Sequence, residues 1–138
     1  MDTRHELQFG AFRTPAAAEP SAVVQRAVPC EQIGQDLVSF QDHPYQPKLL
    51  ETWTLLAFVA ARNSMIRLAP DVANLRLRLP AVLARSVASL NLLSGGHIDL
   101  GLGAGAFSEA IVAMGGRRLT GGQRVQALAE AIEILRQT

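Results

Sequence analysis

The sequence predicts an α/β domain built on a parallel sheet, because two regular features run along the chain. Short apolar runs typical of strands begin at intervals of about thirty residues, the length of one strand and one returning helix. These runs are Leu7–Phe12, Leu37–Phe40, Ile66–Ala69 and Ile98–Leu102. A helix-like stretch follows each of them, and strict alternation favours parallel strands joined by right-handed crossovers.

Three of the four predicted helices carry clear signals. Leu49–Arg62 has its apolar residues at helical spacing. Pro80 can open the next helix, because a residue in the first turn needs no N–H donor, and the glycine pair that begins at Gly95 ends it. The last helix begins with Thr120 and Gln123, which have the spacing of a capping box.

The sequence signals for the first helix and for the loops are weaker. A helix over roughly Ser21–Gln35 contains Pro29, which removes a backbone hydrogen bond and clashes with the preceding turn, so we expect a kink or a break. Residues 1–6 and 14–20 are predicted to be loop or flexible within a single domain of residues 1–138. Asp42–Lys48 holds two prolines and is predicted to be another loop.

Composition narrows the class of protein. The chain has 138 residues, of which 49% are hydrophobic, enough for one domain with a buried core. Its net charge of +1 shows no electrostatic signature of nucleic-acid or anionic-membrane binding. Cys30 is the single cysteine, which excludes intrachain disulfides and zinc sites with several cysteine ligands. With no signal-peptide core and no apolar run of spanning length, we expect a soluble, cytoplasmic protein.

Two architectures have this order of elements: an open doubly wound sheet and a (β/α) barrel. A complete barrel needs about 250 residues, so this chain has enough for about half of one. In both architectures ligands bind at the carboxyl ends of the strands. The residues that follow each predicted strand are therefore the candidates for a functional site.

Asp42 and His43 follow the second predicted strand and form the chemically strongest pair. Histidine titrates near neutral pH, and an adjacent carboxylate can hold its tautomer or raise its pKa. The alternative is a loop histidine that makes ordinary hydrogen bonds. Its position at a strand end favours a functional role.

Glycine alternates at Gly101, Gly103 and Gly105, at the exit of the fourth predicted strand. Glycine lets a backbone approach a flat ring or a phosphate closely, although the spacing is not the G-x-G-x-x-G dinucleotide fingerprint. The alternative is a tight turn with close strand packing. Asn74, after the third strand, can hydrogen-bond the edge of a heterocycle or cap local backbone.

Longer motifs resemble a known family. DHPYQP at Asp42–Pro47, PAVLAR at Pro80–Arg85, and LLSGG at Leu92–Gly96 ahead of the strand that runs into Asp99–Gly105 are similar to luciferase-like flavin-dependent oxidoreductases. The resemblance extends over nearly the whole chain and is weaker before Leu37.

This resemblance implies the N-terminal half of a TIM (β/α)8 barrel, made of four βα units around a parallel sheet. It implies FMN or a deazaflavin as cofactor, with hydride transfer or O2 activation at a small organic substrate. His43 and Asp42 would be catalytic, with His43 as proton donor or acceptor. The residues implied to bind the cofactor are Asp71, Val72, Asn74, Gly103, Ala104 and Gly105. The family often carries a non-prolyl cis peptide at the position of Asp71-Val72.

The chain also departs from the family. The later strands, which supply most contacts to the cofactor phosphate, have no counterpart here, and Ala104 stands where luciferase subunits carry an arginine. Four strands leave two unpaired edges and an apolar inner face, so we expect a homodimer or a complementing second half-barrel. The alternatives are a non-catalytic half-barrel remnant or assembly module without cofactor, and a small open α/β domain that binds a nucleotide.

Overall fold

The structure is a computed structural model that describes residues 6–62 and 65–137; most of the predicted loop at residues 1–6 lies outside this range. Its described strands are parallel and alternate with helices. The strands are β1 (Gly10–Arg13), β2 (Leu37–Phe40), β3 (Arg67–Pro70), β4 (Ala73–Asn74) and β5 (Leu102–Gly103). The helices are α1 (Pro20–Gln32), α2 (Thr52–Ala60), α3 (Pro80–Leu93), α4 (Ser108–Ala113) and α5 (Gly121–Arg136).

The strands form two adjoining ladders. β1, β2 and β3 pair in that order, and β4 pairs with β5. A parallel bridge between Leu68 and Ile98 joins β3 to the segment before β5. The predicted alternation of strands and helices around a parallel sheet is therefore confirmed.

The ends of the strands differ from the prediction. The first strand is Gly10–Arg13 rather than Leu7–Phe12, because its partner β2 offers four residues and the register joins Gly10 to Leu37. The third strand begins one residue later than predicted, at Arg67.

The predicted fourth strand, Ile98–Leu102, is divided between two contacts. Ile98 bridges to β3, and Leu102 begins the separate strand β5 beside β4. The division follows from the adjacent segment, where residues 71–72 separate β3 from β4.

Some of the sequence signals predicted the helix boundaries correctly and one did not. Pro80 opens α3, Gly95 follows it with a φ of 75°, and Thr120 caps α5 in a capping box with Gln123, all as predicted. A kink or a break was expected at Pro29, and a break is wrong, since α1 continues to Gln32 and the Pro29 carbonyl accepts a hydrogen bond from the Ile33 N–H.

One further helix boundary differs from the prediction, and one helix was missed. α2 begins at Thr52 rather than Leu49, because Leu49 bridges to Ala16 and the Glu51 carboxylate caps the helix at the Thr54 N–H. The short helix α4 was not predicted.

The core lies between one face of the sheet and helices α1 and α2. Val38, Phe40 and Leu68 on the strands pack with Ala27 and Leu56 on the helices.

The sheet has a second face. Phe12 on β1 points to that second face, and 54% of its surface is exposed. Phe9, the residue before β1, is 68% exposed. β1 also has a neighbour on one side only within the described residues.

Over the described ranges, no helix combines the length and hydropathy needed to cross a lipid bilayer.

Candidate active site

A cavity of about 400 Å³ opens at the carboxyl ends of the strands. Its volume falls in the range of roughly 300–1,000 Å³ that is typical of small-molecule sites. All eight residues predicted from the sequence line it: Asp42, His43, Asp71, Val72, Asn74, Gly103, Ala104 and Gly105. The exits of β2, β3, β4 and β5 therefore meet at one rim, as the carboxyl-end rule requires.

Asp42 is a buried carboxylate at the end of β2, with 2% of its surface exposed. Its Oδ2 accepts a hydrogen bond from the Asn74 N–H at 2.9 Å, while Oδ1 is buried without a partner. Burial raises the pKa of the carboxyl, and the Asn74 N–H and the Arg78 guanidinium oppose that shift. The carboxylate thus holds backbone in place, and no hydrogen bond among the described residues links it to the His43 ring.

His43 is half-buried and packs between two aromatic rings. Its ring stacks on Tyr45 at a centroid distance of 5.3 Å and an interplanar angle of 22°. The Phe107 ring meets it edge-on, also at 5.3 Å, with an angle of 72°. Burial, followed by the negative charge of Asp42, raises the pKa of the Tyr45 hydroxyl.

Asn74 and the segment before it form another wall of the cavity. Asp71-Val72 is a cis peptide bond, as the resemblance implied. Asn74 is 6% exposed, and its Oδ1 is buried without a hydrogen-bond partner. An unsatisfied buried acceptor is costly, so this amide oxygen is a ready partner for a ligand N–H.

The glycines on either side of Leu102, Gly101 and Gly103, allow close packing against Val72. A Cβ at Gly103 would lie 2.3 Å from Val72 Cγ2, and one at Gly101 would lie 2.7 Å from the Pro70 carbonyl oxygen. Gly105 has a φ of +76°, a conformation that side chains rarely adopt. The interpretation as a turn with close strand packing therefore applies here, and Gly103 and Gly105 also line the cavity.

Arg124 is a cavity residue that the sequence analysis missed. It lies in the first turns of α5, and its Nη1 donates to the Gly105 carbonyl oxygen at 3.0 Å. Its Nε is buried without a partner, and no carboxylate among residues 6–62 and 65–137 pairs with it. The signal was available, because the capping box at Thr120 places the start of α5 and helices after strands begin near this rim.

Tyr45, Ala73, Ala106 and Phe107 complete the lining. Ala73, Ala106 and Phe107 follow predicted strands and are among the positions that the carboxyl-end rule selects, whereas Tyr45 was not predicted. The cavity therefore combines a titratable ring at His43, a free amide oxygen at Asn74 and a cation at Arg124. Such a set can hold a flat polar ring, move a proton and bind an anionic group. In the described part of the chain, no group of His, Cys, Asp and Glu side chains is placed to hold a metal ion.

The fold and the cavity together define part of a (β/α) barrel with a cavity at the carboxyl ends of its strands. The chain belongs to the luciferase-like monooxygenase family, whose sequence pattern matches residues 5–138. The family resemblance of the sequence motifs is thereby confirmed.

One curated relative is the F420-dependent glucose-6-phosphate dehydrogenase of Amycolatopsis mediterranei. It is 31% identical over 125 residues, which cover 86% of this chain and 37% of the relative. The chain thus spans well under half the length of this relative.

Solved structures agree on the fold. An F420-dependent secondary alcohol dehydrogenase in complex with an F420-acetone adduct matches with a TM-score of 0.84 and 20% identity, over 96% of this chain and 42% of its own. The oxygenating constituent of 3,6-diketocamphane monooxygenase from Pseudomonas putida, in complex with FMN, matches with a TM-score of 0.79 and 24% identity, over 93% and 38%. The chain therefore has the fold of part of a luciferase-like (β/α)8 barrel.

Proposed function

We propose that this chain forms the N-terminal part of the active-site cleft of a flavin- or deazaflavin-dependent oxidoreductase. The enzyme would transfer hydride to or from a small organic substrate, or activate O2 for its oxygenation. The observation that carries the proposal is the convergence of His43, Asn74 and Arg124 on one cavity at the strand ends. The names of its relatives, which include F420-dependent dehydrogenases and an FMN-bound monooxygenase, support this reaction class.

The residues present fit the ring of such a cofactor. The buried Oδ1 of Asn74 lacks a partner and would accept an N–H at the edge of a heterocycle. Val72, Gly103 and Ala104 form an uncharged wall against which a flat ring can pack. When bound, the cofactor supplies the hydride or the reaction with O2.

His43 is the proposed proton donor or acceptor. Its ring lies in the cavity lining, and histidine exchanges a proton near neutral pH. Asp42 would act by holding the Asn74 backbone, and Arg124 would bind an anionic group of cofactor or substrate.

We also propose that a second half-barrel, either another copy of this chain or a complementing chain, completes the cleft. Phe9 and Phe12 expose apolar surface, and β1 and β5 each pair on one side within the described residues. Exposed apolar surface beside unpaired strand edges favours association. Light scattering on the purified protein should give a mass of at least two chains, and a monodisperse monomer would contradict this part.

Cofactor binding is the direct test. Purified protein is titrated with FMN and, separately, with F420, and binding is followed by fluorescence quenching. We expect saturable binding of one of them, and turnover that His43→Ala lowers by about 10²–10⁴-fold. His97→Ala is the matched control, because His97 lies outside the cavity lining and its ring hydrogen-bonds to the Ser94 carbonyl. Absence of binding by both cofactors would overturn the proposal.

A non-catalytic assembly module is the second candidate. It is favoured by one observation, the exposed apolar surface of Phe9 and Phe12, which suits contact with another chain. Cofactor-dependent turnover by this polypeptide would exclude it.

A further inference from the structure

The aromatic rings around His43 come from two distant parts of the chain. Tyr45 lies in the loop after β2, two residues beyond His43. Phe107 follows β5 and stands directly before α4. The three rings contact one another in pairs, since Tyr45 and Phe107 are also 5.8 Å apart.

Within residues 6–62 and 65–137, these two ring contacts are what restrains the imidazole. No side chain or backbone group in that part of the chain hydrogen-bonds to either ring nitrogen of His43. Tyr45 covers a face of the ring and Phe107 meets it at a steep angle, so the two restrict its rotation in different directions. Both nitrogens therefore stay available for proton exchange while the ring is held.

Phe107 keeps this position although 56% of its surface is exposed. An exposed apolar ring gains little from burial, and its ring contacts in the site are those with His43 and Tyr45. The residue also belongs to the cavity lining.

We propose that Tyr45 and Phe107 are positioning residues that fix the orientation of the His43 imidazole at the mouth of the cavity. Their importance for turnover rests on the proposed function. The ring geometry itself does not, because it can be measured in the protein without cofactor.

The experiment measures the His43 ring directly. The chain has three histidines, so their ring resonances can be assigned with single His→Gln variants. Phe107→Leu and Tyr45→Leu remove one ring each, whereas Phe107→Tyr and Tyr45→Phe keep it. Phe58→Leu is the matched control, because Phe58 is exposed on α2 beside Arg62 and lies outside the cavity.

We expect each leucine variant to move the His43 ring-proton shifts and to speed modification of His43 by diethylpyrocarbonate about threefold to tenfold, the factor that one aromatic pair supplies. The conservative variants and Phe58→Leu should leave both measurements unchanged. Unchanged His43 shifts and rates in both leucine variants would overturn the inference.

A second measurement requires no variant. Nuclear Overhauser contacts should link the His43 ring protons to those of Tyr45 and Phe107 in the unsubstituted protein, and their absence would overturn the inference even if the variants do not fold. Failure of cofactor binding with these contacts intact would reject the proposed function alone. Binding without the contacts would reject the positioning role alone.

Discussion

The Asp42 carboxylate accepts the Asn74 backbone N–H at 2.9 Å and so ties the exit of β2 to β4. The two residues are 32 positions apart in the sequence. Between them lies the Asp71-Val72 segment that lines the cavity. The shape of the candidate site therefore depends on one buried carboxylate as well as on the strands.

Replacing the Asp42 carboxylate should lower the stability of the folded protein. Asp42→Ala leaves the buried Asn74 N–H without its acceptor, so we expect the free energy of unfolding to fall by about 1–3 kcal/mol. Asp42→Asn keeps an acceptor oxygen and should cost less. Urea denaturation measures both, with Asp71→Ala at an exposed carboxylate of the same cavity as control. Equal losses in Asp42→Ala and Asp71→Ala would contradict the role of the bond.

The same carboxyl should give stability an unusual dependence on pH. Burial raises the pKa of Asp42 in the folded protein above its value in the unfolded chain. Its contribution is then fully present below the unfolded pKa and is lost as the pH rises through the folded pKa. The free energy of unfolding of the wild type, relative to Asp42→Asn, should therefore fall as the pH rises above about 3.9.

Glu51 offers the opposite case within the same fold. Burial raises the pKa of its carboxyl, but hydrogen bonds from Thr54 and the charge of Arg78 outweigh burial, and the pKa is lowered overall. Its contribution is present above the unfolded pKa and is lost as the pH falls through the folded pKa. Wild type compared with Glu51→Gln should thus show a slope of the opposite sign, and parallel slopes for the two pairs would refute the assignment.

Gly103 should not tolerate a side chain. Its Cβ would lie 2.3 Å from Val72 Cγ2, so we expect Gly103→Ala to lower the free energy of unfolding by roughly 1–3 kcal/mol. Val72→Ala removes the clashing methyl and should recover part of the loss in the double variant. Gly122→Ala is the control, because no atom lies within 4 Å of that Cβ in α5 and alanine should stabilise the helix by up to about 1 kcal/mol.

Arg124 should decide how strongly an anionic ligand binds. We expect the wild type to bind FMN more tightly than riboflavin, which lacks the phosphate, and Arg124→Ala to lose about tenfold or more of the FMN affinity while riboflavin is little affected. Isothermal titration measures the two constants. Arg118→Ala is the control, since Arg118 pairs with Glu109 at an exposed position. An FMN preference that persists in Arg124→Ala would contradict this role.

Local signals in the sequence predicted much of the fold. The boundaries at Pro80 and Thr120 follow from backbone chemistry within a few residues, and so they could be read without tertiary information. The helix α4 has six residues, too few for an apolar repeat to show. The strand ends at Gly10 and Leu102 depend on the register with a partner strand, which local sequence does not contain.

Part of the candidate site could be predicted from the order of strands and helices alone. Residues directly after strands could be named, because the carboxyl-end rule needs only the order of elements. The contact of Asp42 with Asn74 and that of His43 with Phe107 join positions far apart in the chain. The capping box at Thr120 locates the start of α5, but the contact of Arg124 with the Gly105 carbonyl depends on how that helix packs, which the motif does not show.

The floor of the cavity rests on the two-residue ladder between β4 and β5. So short a ladder opens at little cost, and native-state hydrogen exchange should be faster there than in β2. A ligand that bridges Asn74 and the Gly105 turn would bind only the closed form and stabilise it by mass action. Cofactor concentration would then set how fully this rim is ordered in the cell.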